Sequence, residues 1–128
     1  IDVINRIRGP FNVSNPAIMA GIAAVRDTEF TKHTKEFNSK WLAYLSAEIA
    51  KLWLKIHPSI GNFLLVEFPT EKNSEKHTAS SANAYLMERG LIVREVANYG
   101  LPNCLRISVG LAEDNKAVVE TLAEFLAL

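Results

Sequence analysis

The sequence is poor in cysteine and has no excess charge of either sign. Cys104 is its single cysteine, and 14 Lys and Arg balance 14 Asp and Glu in 128 residues. One cysteine excludes an internal disulfide framework and a cysteine-built zinc site. It also suits a reducing cytoplasm, the expected location. The charge balance lacks the basic excess of a nucleic-acid or anionic-membrane binder. Long apolar runs are missing as well. The longest weakly polar run, 16–25, has ten residues and is stopped by Arg26, about half of the ~20 that a membrane-spanning helix needs. There is no initiator Met and no basic–apolar–small leader pattern. Ile1-Asp2-Val3-Ile4 reads as the end of an earlier helix, so a piece of a longer protein is expected. His33, His57 and His77 have no partner at metal-ligand spacing, and no Gly-rich phosphate loop or nucleophile elbow occurs. No metal site is therefore expected.

What is present is a hydrophobic fraction of 48%, enough for a chain of this length to build one real core. Gly9-Pro10 breaks the opening helical stretch and Phe11-Asn12-Val13 reads as an extended connector. Asn15 as N-cap and Pro16 at the first turn start a helix over 16–26 that aligns Ile18, Ile22 and Val25 among small residues. A second helix is expected from 27 or 28 to about 56, because Phe37, Trp41, Leu45, Ile49, Leu52 and Ile56 keep a three-to-four spacing. The apolar run 62–68 reads as a central strand. A polar loop over 70–75 leads to a helix over 75–89, with Gly90 as its left-handed C′ residue and Leu91 packing after it. Strands are expected over 91–96 and 104–109, joined by a Gly/Pro/Asn loop over 98–103. In the last strand Leu105, Ile107 and Val109 alternate with Cys104, Arg106 and Ser108. A helix over 113–127 closes the chain, with Glu113 and Asp114 favouring its N-terminal dipole. The expected fold class is α+β: a small, mostly antiparallel three-stranded sheet with helices mainly on one face.

Two arginines lie inside these strands. A guanidinium keeps its charge, so one that is buried must find an anion or several carbonyls. For Arg106 and Arg94 two readings stay open. One is an ion pair with Glu67 or Glu95; the other is a bidentate grip on a ligand carboxylate or phosphate.

Arg8-Gly9-Pro10-Phe11-Asn12-Val13-Ser14, Pro58-Ser59, Asn62-Phe63-Leu64-Leu65, Gly90-Leu91-Ile92-Val93-Arg94, Tyr99-Gly100-Leu101-Pro102 and Leu105-Arg106-Ile107-Ser108-Val109-Gly110 occur in this order. Together they resemble the C-terminal part of the histidinol-phosphate aminotransferase group of fold-type I, class I and II pyridoxal-phosphate aminotransferases, along essentially the whole chain. The resemblance implies that 1–14 are the end of a linking helix with its connector from a large domain, and that 15–128 are a small domain. It implies substrate-binding roles for Arg106, on the substrate's anionic group, and for Arg94, on the phosphate of histidinol phosphate. It further implies glutamate and 2-oxoglutarate as the other substrates and a homodimer, with no nucleic-acid or membrane partner.

The departures matter equally. The family's Schiff-base lysine lies in a Ser-rich Lys-Gly-Leu-Gly-Arg-type segment that does not occur here. The Asp for the pyridinium nitrogen and the groups for the cofactor phosphate are absent too. No catalytic or cofactor-binding residue is therefore expected in these 128 residues, and pyridoxal phosphate would be held by a large domain. Leu111 stands where relatives often have Thr or Ser, which weakens the last N-cap. The alternatives are another aminotransferase of this class, acting on aromatic amino acids, or a freestanding α+β ligand-binding module without catalysis.

Overall fold

The computed structural model describes residues 1–9, 12–69 and 76–127. It forms two compact units, 1–35 and 36–128. The first unit holds α1 (Asp2–Ile7), α2 (Asn15–Arg26) and the opening turns of α3 (Thr28–Ala50). Ser14 occupies the N-cap of α2 and Pro16 follows in its first turn, one position from the expected start. Asp27 ends α2 and starts α3, its Oδ1 accepting from the Phe30 N–H at 2.9 Å. The Ile18, Ile22 and Val25 stripe is exposed rather than buried. Pro10, Phe11 and the loop expected over 70–75 fall outside the described residues.

The second unit carries the core. It contains the rest of α3, β1 (Lys55–His57), β2 (Phe63–Glu67), α4 (Ala79–Glu88), β3 (Arg94–Val96), a 3-10 turn (Ala97–Tyr99), β4 (Leu101–Ser108) and α5 (Ala112–Leu126). Among the described residues all strand pairs are antiparallel, and the sheet has four strands in the order β1-β2-β4-β3. The three-stranded expectation missed β1 because the apolar spacing carries the helical reading through Leu52 and Ile56. In the structure α3 ends at Ala50 and a tight turn follows, with Leu52 N–H bonded to the Ile49 carbonyl and Trp53 in the left-handed region at φ 62°. Leu52 and Ile56 still pack against the core, Ile56 from a strand. Steps of three and four over two final residues cannot separate these outcomes.

Pairing of Leu64 with Ile107 and Val66 with Leu105 sets one face of the sheet. These four side chains are buried together with Leu45 and Ile49 of α3, Ala82 and Leu86 of α4, and Val118, Leu122 and Phe125 of α5. Helices thus cover that face, as the α+β reading expects. Two strand starts differ from the expected ones, and α4 begins at Ala79 and not at 75. β4 starts at Leu101, so Pro102 and Asn103 belong to the strand and not to a loop; Pro102 sits near its start, where a missing N–H is tolerated. β3 is limited to Arg94–Val96 and is irregular between Glu95 and Val96.

α4 is closed at both ends. Thr78 and Ser81 form a reciprocal capping box. At the C-terminus Gly90 N–H reaches the Met87 carbonyl and Leu91 N–H the Leu86 carbonyl, both at 3.0 Å, which is the Schellman pattern with Gly90 at φ 77°. Gly90→Ala is expected to destabilise the chain by about 1–2 kcal/mol, because an L side chain is strained there although space is open. Urea unfolding with unchanged slope checks this, and a neutral result would remove the left-handed cap. The weak Leu111 cap of α5 is compensated. Asp114 Oδ2 accepts from Leu111 N–H at 3.1 Å, and the buried Asn115 side chain clasps both backbone groups of Gly110 at 2.9 Å.

Candidate functional site

Strand alternation sends every second side chain to the face opposite the core. Register places His57 beside Leu65, Leu65 beside Arg106 and Arg106 beside Arg94, so one row crosses all four strands. A neighbouring row holds Lys55, Glu67 and Cys104, and the other flank holds Phe63 and Ser108. None of these side chains belongs to the hydrophobic core cluster.

Arg106 and Arg94 are therefore direct cross-strand partners. Like charges placed so are mutually repulsive, and an anion between them reverses the sign. Arg106 is half-buried, and its Nε is shielded from solvent without a hydrogen-bond partner among the described residues. Its guanidinium lies 5.2 Å from the centre of the Phe63 ring, which helps fix the fork without satisfying its N–H groups. Arg94 is exposed, and its Nη2 donates to the Tyr99 hydroxyl at 3.2 Å. Neither arginine has an ion pair among the described residues. Glu67, one of the two carboxylates that the sequence offers as partners, is engaged elsewhere. That carboxylate is taken by Lys55 Nζ at 2.8 Å and His57 Nε2 at 2.9 Å.

The Glu67 cluster is what sequence reasoning missed. The helical reading to about residue 56 takes in Lys55 and stops just before His57; the usable signal is the brief Lys-Ile-His alternation with Ile56 inward. Hydrogen bonds from Lys55 and then His57 hold the Glu67 carboxyl below its ordinary pKa. Asn103 Nδ2 approaches the other oxygen at 3.3 Å. Burial, reinforced by the Glu67 charge, pushes the Cys104 thiol up.

Among the described residues, none meets the needs of a Schiff-base lysine. A Schiff-base lysine must be sheltered so that its amine can be deprotonated, yet every described lysine is exposed. Lys51 and Lys55 are further engaged by Glu48 and Glu67. Lys72 lies outside the described residues. No step through the cofactor can be derived from this face.

A histidinol-phosphate aminotransferase of Nitrobacter hamburgensis is 48% identical over 127 residues, which are 99% of this chain and 34% of that protein. One from Rhodopseudomonas palustris is 46% identical with the same coverage. The chain thus spans about a third of the length of the curated relatives it matches. Among solved structures, the histidinol-phosphate aminotransferase of Sinorhizobium meliloti in complex with pyridoxal-5'-phosphate superposes with a TM-score of 0.77 at 25% identity, covering 98% of this chain and 34% of that one. The model for aminotransferase class I and II matches residues 1–126. With that match along nearly its whole length and the same fold in its structural neighbours, the chain belongs to the aminotransferase class I and II family.

Proposed function

We propose that this chain is the anion-recognising small-domain portion of a pyridoxal-phosphate-dependent aminotransferase that moves an amino group between L-histidinol phosphate and 2-oxoglutarate. In this reading 1–14 end a linking helix, 15–128 form the small domain, and the whole enzyme is a cytoplasmic homodimer. The names of the 45–48% identical relatives support the substrate, and their greater length supports a separate cofactor-holding part. The observation that carries the reading is the facing pair Arg94 and Arg106, with a shielded Arg106 Nε that lacks a partner.

The phosphate of histidinol phosphate takes the place that the α-carboxylate of glutamate takes in the other half-reaction. A rigid guanidinium fork accepts both, because each presents paired oxygens. Arg106, centred on the row, holds the anion in both half-reactions. Arg94 adds a second cation that a dianionic phosphate uses more fully than a carboxylate. The cofactor supplies the electron sink when bound by the rest of the enzyme; this chain fixes the substrate's orientation and contributes one wall of the site.

The test uses a polypeptide that joins these 128 residues to a cofactor-binding part. Supplied with pyridoxal phosphate, histidinol phosphate and 2-oxoglutarate, it is expected to form glutamate. Transfer from an aromatic amino acid but not from histidinol phosphate would replace the substrate assignment, and no transfer from any donor would overturn the reading. The 128-residue chain alone, treated with pyridoxal phosphate and borohydride, is expected to show no stoichiometric adduct at one lysine. A single-site adduct there would refute the division of labour.

A further inference from the structure

The sequence spacing offers no metal-ligand pair, but the fold creates a set of three. His57, Glu67 and Cys104 come from β1, β2 and β4, and one ligand atom of each lies within 4.8 Å of the other two. Glu67 and Cys104 are cross-strand partners, and His57 projects on the same face one row away. We propose that His57 Nε2, a Glu67 carboxylate oxygen and Cys104 Sγ bind a borderline-soft divalent transition-metal ion, with Zn²⁺ as the best fit.

The donor set is one nitrogen, one oxygen and one sulfur, a mixture that suits Zn²⁺ and not Mg²⁺ or Ca²⁺. Around a tetrahedral zinc such donors stand about 3.3–3.8 Å apart. His57 Nε2 and Glu67 Oε2 are already at 2.9 Å, so closing the set takes side-chain adjustments only. Three protein ligands leave the fourth position for water or an exogenous ligand. The ladder holds all three Cα positions in advance of binding, which limits the ordering cost.

Cys104 is 1% exposed and stands on the row of Lys55 and Glu67, on the face opposite Leu105 and Ile107. Asn103 Oδ1 at 3.8 Å is its weak acceptor. The side chains of His57 and Glu67 are 37% and 27% exposed, which gives an ion a way in. Asn103 Nδ2 on the second Glu67 oxygen orients the carboxylate from outside the ligand set. The competitor is Lys55, whose ammonium sits on Oε2; its side chain is 66% exposed and can swing into solvent. Binding releases the Cys104 thiol proton to solvent and leaves the thiolate on the metal.

Co²⁺ titrated into the chain is the direct probe. A thiolate-to-cobalt charge-transfer band in the near ultraviolet is expected, together with the visible bands of four-coordinate cobalt. Zn²⁺ should bleach both and raise Tm. Cys104→Ser should abolish the near-ultraviolet band with circular dichroism unchanged, and His57→Gln should weaken cobalt binding at least about tenfold. Lys55→Gln, which removes the competing ammonium, is expected to tighten it. Absence of the charge-transfer band even at millimolar cobalt, or its survival in Cys104→Ser, overturns the site. Should Cys104→Ser fail to fold, His57→Gln decides: a band that saturates at the wild-type cobalt concentration also overturns it.

Discussion

Arg106→Ala is expected to lower kcat/KM for both histidinol phosphate and glutamate by about 30- to several-thousand-fold, or ~2–5 kcal/mol, in the aminotransferase proposed to contain this chain. The size follows from the surroundings. Among the described residues Arg106 Nε is shielded and unpartnered and the guanidinium has no ion pair to lose. The substrate anion, by contrast, would lose a charge-assisted two-point contact in a partly dry site. Arg106→Lys is expected to recover only part of the loss, since an ammonium cannot reproduce the planar fork stacked near Phe63. Arg94→Ala should depress the phosphate substrate more than glutamate, because Arg94 is the exposed second cation of the pair. Thermal melting separates binding from folding. Without an ion pair to break, and with Arg94 relieved of a like charge across the strand, Arg106→Ala should keep or slightly raise Tm. A variant of near-normal efficiency and lowered Tm would show that Arg106 serves the fold and not the substrate.

Leu105→Ala is the corresponding expectation for stability: a loss of about 2–5 kcal/mol, seen as a fall of roughly 10–20 °C in Tm. Leu105 is fully buried in an interior strand and pairs with Val66, which is also fully buried. Sheet pairing limits how far the backbone can collapse into the cavity, which keeps the cost high in that range. Ile22→Ala in α2 makes the contrast. Its side chain is exposed, so the expected change in the same chain is within about 0.5 kcal/mol. Urea unfolding of both variants checks the pair. A loss below about 1 kcal/mol at Leu105 would contradict the core assigned to β4.

Where one physical constraint acts locally, the sequence alone determined the outcome. Gly90 ends α4 because a left-handed C′ position strongly favours glycine, and Leu91 follows it inward. The run 62–68 becomes an interior strand because it is apolar on both parities, and 105–109 alternates because one face is buried. That alternation already put Arg106 on the face of Cys104 and Ser108. Three things were decided only by tertiary structure. β1 exists because β2 offers an edge to pair with, and Ile56 reaches the same core from a strand as it would from a helix. Arg94 faces Arg106, and not Arg106 a carboxylate, because register set by Val66–Leu105 pairing fixes which residues meet. Glu67 goes to Lys55 and His57 because β1, not β3, lies beside β2. Cross-strand neighbours ten to forty residues apart have no periodicity in the sequence; their meeting depends on strand order and register, and both are set by the burial of the other face.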